Sequence, residues 1–172
     1  MKKNYTLTCI SILLLSTQLY ADSSHVNFAL SENKAGTGNY RLGGELGIDM
    51  IKTYENGIEI GGAIDAGMFM VKKYQSLNDD AGELVDFLFR AGYNFNSIYQ
   101  VPVALRGGIG YGLGQIGSDT MQGVVYDVAG EYDMNAKYGF GIKYKKSNMT
   151  LTLPNDPKID YSQIGCYLTV KF

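Results

Sequence analysis

All-β is the fold class this sequence predicts: eight antiparallel strands running up and down around a closed transmembrane barrel. Three observations predict it. Apolar residues alternate with polar or small ones at period two through eight successive segments. Most segments reach ten residues or more, which suits a tilted membrane-crossing strand of about 9–11 residues, whereas strands of soluble domains are most often about 5–6 long. The polar faces carry both signs of charge and many of the 22 glycines, as suits an eight-stranded interior just wide enough for side chains to fill.

The chain opens on Lys2 and Lys3, continues through an apolar run from Ile10 to Leu15 and reaches Ala21 ahead of Asp22. This is the layout of a secretory signal peptide, so residues 1–21 are expected to be cleaved at Ala21–Asp22 and residues 22–172 to form one barrel domain. The apolar run is too short to span a membrane as a helix, and no later segment reaches about 18 apolar residues.

The first strand is predicted over about residues 24–32, with Val26, Phe28 and Leu30 on its apolar face. The second, about 39–51, sets Tyr40, Leu42, Leu46, Ile48 and Met50 against Arg41, Glu45 and Asp49. In the third, about 57–71, Ile58, Ile60, Ile64, Met68 and Met70 oppose Glu59, Asp65 and several glycines. The fourth, about 82–95, opposes Val85, Phe87, Phe89, Ala91, Tyr93 and Phe95 to Asp86, Arg90 and Asn94. The fifth, about 99–114, alternates Tyr99, Val101, Val103, Leu105, Ile109, Tyr111 and Leu113 with Pro102, Arg106 and glycines, the proline falling near the strand start where a missing donor is tolerated. The sixth, about 123–134, pairs Val124, Tyr126, Val128, Tyr132 and Met134 with Asp127, Glu131 and Asp133. The seventh, about 137–147, pairs Tyr138, Phe140, Ile142 and Tyr144 with Lys137, Lys143 and Lys145. The last, about 159–172, has Ile164, Cys166, Leu168, Val170 and Phe172 on one face and Gln163, Gly165, Tyr167, Thr169 and Lys171 on the other. Tight links are expected near 54–56, 96–98 and 135–136, and longer ones at 33–38, 73–81, 115–122 and 148–157, an alternation of periplasmic turns with extracellular loops.

Removing Lys2 and Lys3 leaves thirteen basic side chains against seventeen acidic ones with no basic cluster, so nucleic-acid binding has no support. Cys9 leaves with the signal and only Cys166 remains, which excludes an intrachain disulfide.

Alternation alone does not distinguish lipid from water outside, because a soluble barrel turns the same apolar face inward. The near-neutral balance of charge on the polar face, the strand lengths, and the aromatic residues toward strand ends (Phe28, Tyr40, Phe95, Tyr99, Tyr132, Tyr138 and Phe172) point to lipid. Together with the terminal Phe172, the pattern over the whole mature chain resembles the small eight-stranded bacterial outer-membrane barrels, and is similar to the transmembrane domain of outer membrane protein A and its short relatives. That resemblance implies location in the outer membrane among its lipids, insertion by the barrel-assembly machinery with Phe172, Val170 and Leu168 in the signal it reads, both termini in the periplasm, and loops that face partners.

The polar face assembles Arg41, Glu45, Asp65, Asp86, Arg90, Arg106, Asp127, Glu131, Asp133, Lys137, Lys143 and Lys145 as a lumenal ion-pair network, since charges brought into a narrow barrel need partners. These carboxylates are read as paired with cations, not as an acid and base for hydrolysis. His25, the only histidine, stands beside Ser23 and Ser24 at a mobile N-terminus that makes a poor catalytic scaffold. The stretch from Gly112 to Gly117 fits a dinucleotide fingerprint, but no helix follows to bind pyrophosphate. Asn78, Asp79, Asp80 and Glu83 lack the spacing of a calcium loop, and the sequon at Asn148–Thr150 is a short match. No cofactor, metal or catalytic site is expected. The function expected is structural or surface-interacting, with the loops at 73–81 and 148–157 open to an extracellular partner. The alternatives are a narrow channel or carrier for small solutes and a lipid-modifying enzyme.

Two finer expectations concern the C-terminal half. Parity requires facing residues of strands six and seven to have numbers with an even sum. A three-residue turn then places Asp127 opposite Lys143 and Asp133 opposite Lys137; the next register places Asp127 opposite Lys145. Met149, Leu151 and Leu153 fall on the lumenal parity, so a bulge or break near Ser147 is expected, after which the strand projects and offers an edge to a partner.

Overall fold

The computed structural model describes residues 22–36, 41–72, 79–152 and 158–172. Residues 1–21, expected as a signal segment ending at Ala21, lie outside the described residues, as do Tyr40, Asn78 and parts of the loops at 73–81 and 148–157. Asp22 is exposed, and its amide donates to the Ile51 carbonyl at 3.1 Å.

The strands are β1 (Ser23–Ala35), β2 (Arg41–Thr53), β3 (Ile58–Lys72), β4 (Asp79–Asn94), β5 (Val103–Ile116), β6 (Asp119–Asp133), β7 (Tyr138–Leu151) and β8 (Lys158–Lys171), with one helical turn, α1 (Asn96–Tyr99), before β5. Each strand pairs antiparallel with the next, and β8 pairs with β1 to close the barrel. Followed around from His25 through Asp49, Ala63, Leu88, Gly110, Val125, Ser147 and Tyr161, the pairing returns to β1 at Ala35, ten residues beyond its start. With strands about 4.8 Å apart and about 3.3 Å per residue, that stagger corresponds to a tilt of about 40°.

Alternation sorts the side chains by polarity, with the charge inside. Leu30, Leu42, Met68, Val128 and Phe172 are more than half exposed on the outer face, whereas Asp65 and Lys145 are fully buried. A water-soluble barrel would show the reverse arrangement, so the outer face is built for lipid. The inward wall of β5 is glycine at 108, 110, 112 and 114 because lumenal side chains and the neighbouring backbone of β4 occupy that space: a Cβ at Gly110 would fall on the Phe87 carbonyl oxygen, and one at Gly112 on an Asp86 oxygen and the Met149 methyl.

Several links differ from the sequence expectation. The connection at 96–98 is not a tight turn: α1 intervenes, capped by Gln100 in the left-handed region at φ 55°, so Tyr99 and Val101 precede β5. The connection at 115–122 is not long: Gly117 (φ 59°) and Ser118 suffice, and the polar Thr120 and Gln122 belong to β6, on its outer face. At β6–β7 the Asn135 side chain accepts the amides of Lys137 (2.8 Å) and Tyr138 (2.9 Å). That Asx turn lengthens the connection to Met134–Lys137. The register is therefore the second of the two, Asp127 opposite Lys145, and Asp133 faces Gly139, not Lys137.

No bulge interrupts β7. Its pairing with β6 is continuous to Leu151 and with β8 to Thr150, so Met149 and Leu151 keep the lumenal parity and are buried. The upper strand offers no free edge, because apolar side chains at the loop end fill the lumen instead of facing lipid. Phe28 also departs from the aromatic-rim pattern, since it lies mid-strand opposite Leu46 and Leu168.

Candidate functional site

Among the described residues, the strands bring ionisable side chains together in the lumen. Near the terminal end, the Arg106 guanidinium donates to Glu59 (Nε–Oε2 2.6 Å) and Glu131 (Nη1–Oε2 3.0 Å). Lys171 Nζ lies 2.8 Å from Glu131 Oε1 and also pairs with Asp133 at the mouth. Asn94 donates to Glu59 at 3.0 Å and Asn27 to Asp49 at 2.9 Å, while the Thr169 hydroxyl reaches Asn27 Oδ1 at 2.7 Å.

In the middle layer Arg90 spans the lumen to Asp49, Asp65 (3.0 Å) and Asp127. Lys143 pairs with Glu45 and Asp65 (3.0 Å), and Lys145 with Glu45 (2.6 Å), Asp65 (3.3 Å) and Asp86. Five carboxylates thus surround three cations, and each cation serves at least two of them. Such sharing is what buried charge requires, because desolvation of each ion costs several kcal/mol unless partners replace its water.

Toward the loop end the lumen turns apolar. Phe69, Leu84, Leu88, Met121, Val125, Met149, Leu151 and Tyr161 form one buried cluster, with the Phe69 and Tyr161 rings 4.8 Å apart. The Tyr161 hydroxyl donates to Asn33 at its edge. The result is a polar lower chamber under an apolar cap.

The structure brings Glu45, Asp65, Asp86, Arg90, Arg106, Asp127, Glu131, Lys143 and Lys145 together in this interior, and Asp133 at its mouth. Two residues expected there lie apart. Arg41 begins β2 at the loop end, half-buried, and Lys137 is exposed in the β6–β7 turn. Asp127 faces Lys145 across the sheet, but its carboxylate pairs with Arg90 from β4. Asp49, Glu59 and Lys171 are full members that the candidate network left out, although their parity marked them as inward. His25 is buried within β1 between Asp49 of β2 and Lys171 of β8, so the N-terminal strand is a fixed scaffold, not a mobile end. Gly112 and Gly114 lie in β5 and Gly117 turns the chain. Phe172 and Leu168 face outward, with Phe172 77% exposed.

No family model matches the chain, and no curated protein matches it in sequence. By its closed, staggered sheet and its charged interior under an apolar exterior, the fold is that of the small eight-stranded outer-membrane barrels. Among solved structures the chain is similar to Neisserial surface protein A (NspA), with TM-score 0.60 and 14% identity over 87% of this chain and 96% of that one. It is also similar to Ail, the attachment invasion locus protein of Yersinia pestis, with TM-score 0.56 and 13% identity over 87% and 97%. The third is OprG from Pseudomonas aeruginosa, with TM-score 0.53 and 12% identity over 88% and 96%.

Proposed function

We propose that this protein is a sealed, non-catalytic barrel of the bacterial outer membrane whose role is structural or surface-interacting, not conductive. The observation that carries the reading is the filled lumen. A permeating ion would have to displace the Arg90, Lys143 and Lys145 pairs and then cross the Phe69–Tyr161–Met149 cluster, which contains no ionised side chain to replace its water. Asp22, Phe172 and the turns at 54–57 and 134–137 lie at one end, so in this reading both termini of the mature chain face the periplasm and the opposite end presents the loops. Any recognition of an extracellular partner falls to those loops, which include 73–81 and 148–157, because the strands between them are occupied in packing and lipid contact. Outer-membrane lipids are the standing partners, and the barrel-assembly machinery is the transient one, engaged through the strand that ends in Phe172. Single-channel recording of the purified barrel in a planar bilayer tests this: no stable conductance is expected, and a large steady one would return the porin-like reading.

A further inference from the structure

The outer face is not equally tall all the way round. At a tilt of about 40° each residue rises about 2.5 Å along the barrel axis. On β3 every outward position from Ile58 to Met70 is apolar or glycine, a band about 30 Å tall at that rise. On β1 the outward series reads Ser24, Val26, Phe28, Leu30, Glu32, so its apolar part spans only about 10 Å. On β7 the band stops at Tyr144, below the exposed Lys146, and on β8 at Ile164, below Ser162 and Asp160. The register joins these breaks into one margin: Lys146 pairs with Ser162, and Ile164 with Glu32.

An outer-membrane barrel ordinarily carries an apolar band of about 25 Å. Where the band is shorter, hydrocarbon must thin or polar groups must reach past it. Lys146 has a stem long enough to snorkel, but Glu32 and Ser162 do not. We infer that β7, β8 and β1 form a membrane-thinning surface, on which the lipid bilayer is compressed along the seam where the chain closes its barrel, while β3, and β5 with its outward face apolar or glycine from Val103 to Leu113, hold it thicker. The inference rests on the membrane-spanning reading proposed above. The partner is the lipid itself, in a locally short hydrocarbon layer, with head groups drawn down to Lys146.

The test compares stability in thin and thick bilayers. The wild type, the triple variant Glu32→Leu/Ser162→Leu/Lys146→Leu, and Gln115→Leu on the tall side are folded into dilauroyl and dioleoyl phosphatidylcholine vesicles, and urea midpoints are read from heat-modifiable migration. The wild-type midpoint is expected to be higher in the thin vesicles, the triple variant to lose or reverse that preference, and Gln115→Leu to keep it. Lys146→Leu alone, a single exposed replacement, is expected to shift the preference part of the way and serves if the triple variant does not fold. An unchanged preference in these seam variants overturns the thinning inference while leaving the membrane reading intact. Failure of the wild type to insert into either vesicle overturns both.

Discussion

Arg90 shows how one residue organises this interior. Its guanidinium serves Asp49, Asp65 and Asp127, which come from three other strands. Arg90→Met should therefore leave Asp49 and Asp127 without a cationic partner among the described residues, while Asp65 keeps Lys143 and Lys145, and cost about 3–5 kcal/mol of folding stability, read from urea unfolding in vesicles. Asp127→Leu added to Arg90→Met should cost much less than it does alone, since its partner is already gone. The same replacement beside Lys143→Met should be coupled more weakly, because Asp127 and Lys143 are linked only through Arg90 and Asp65. The glycines make a second contrast at this scale. A Cβ at Gly110 would meet the backbone of β4, which does not yield, whereas one at Gly107 points outward with nothing nearer than the Asp127 carbonyl at 3.7 Å. Gly110→Ala is expected to lose about 1–3 kcal/mol or to fail to fold, and Gly107→Ala to stay within about 0.5 kcal/mol of the wild type.

At the level of the element, β7 and β8 carry the argument. Because β7 is paired on both sides to its upper end, the amides of Asn148 to Leu151 should exchange as slowly as those in mid-strand. Fast exchange there would mean that the upper strand opens and that the apolar cap is not a fixed lid. Just beyond its last residue, strand β8 closes against β1 through reciprocal bonds, from the Phe172 amide to Ser24 (2.9 Å) and from the Ser24 amide to Phe172 (3.3 Å). Phe172→Ser keeps these backbone bonds and removes only the outward ring, whereas truncation removes both. Both changes should lower the folded, heat-modifiable protein in the outer membrane, truncation more severely; unchanged levels in both would show that neither ring nor seam matters to assembly.

For the molecule as a whole, the ion pairs that hold the lumen are shielded from solvent: Arg90, Lys143 and Lys145 are each at most 4% exposed. Dissolved salt screens exposed charges over about 10 Å at 0.1 M but reaches buried pairs weakly. The urea midpoint should accordingly change little between low and molar sodium chloride, while a barrel held by surface pairs would weaken. A strong salt dependence would indicate that water and ions enter the lumen, which would also count against the sealed reading.

Period-two alternation is a local property, so the sequence by itself determined that there are eight strands, which residues face inward, and that the inward set is charged: Asp65, Arg90, Lys143 and Lys145 were legible from parity alone. Polarity misled where it was taken for position. Thr120 and Gln122 read as loop although they are strand, and Met149 and Leu151 were expected to need a bulge because a lumen was assumed polar throughout. The tertiary structure alone decided who meets whom. Neighbouring strands fix the register, where the Asn135 turn selected Lys145 over Lys143 as the residue facing Asp127. In a closed barrel staggered by ten residues, however, long side chains cross the lumen to strands that are not neighbours. Asp127 of β6 is therefore neutralised by Arg90 of β4, and Lys145 of β7 by Glu45 of β2, pairings that depend on closure and tilt and have no trace in the spacing along the chain.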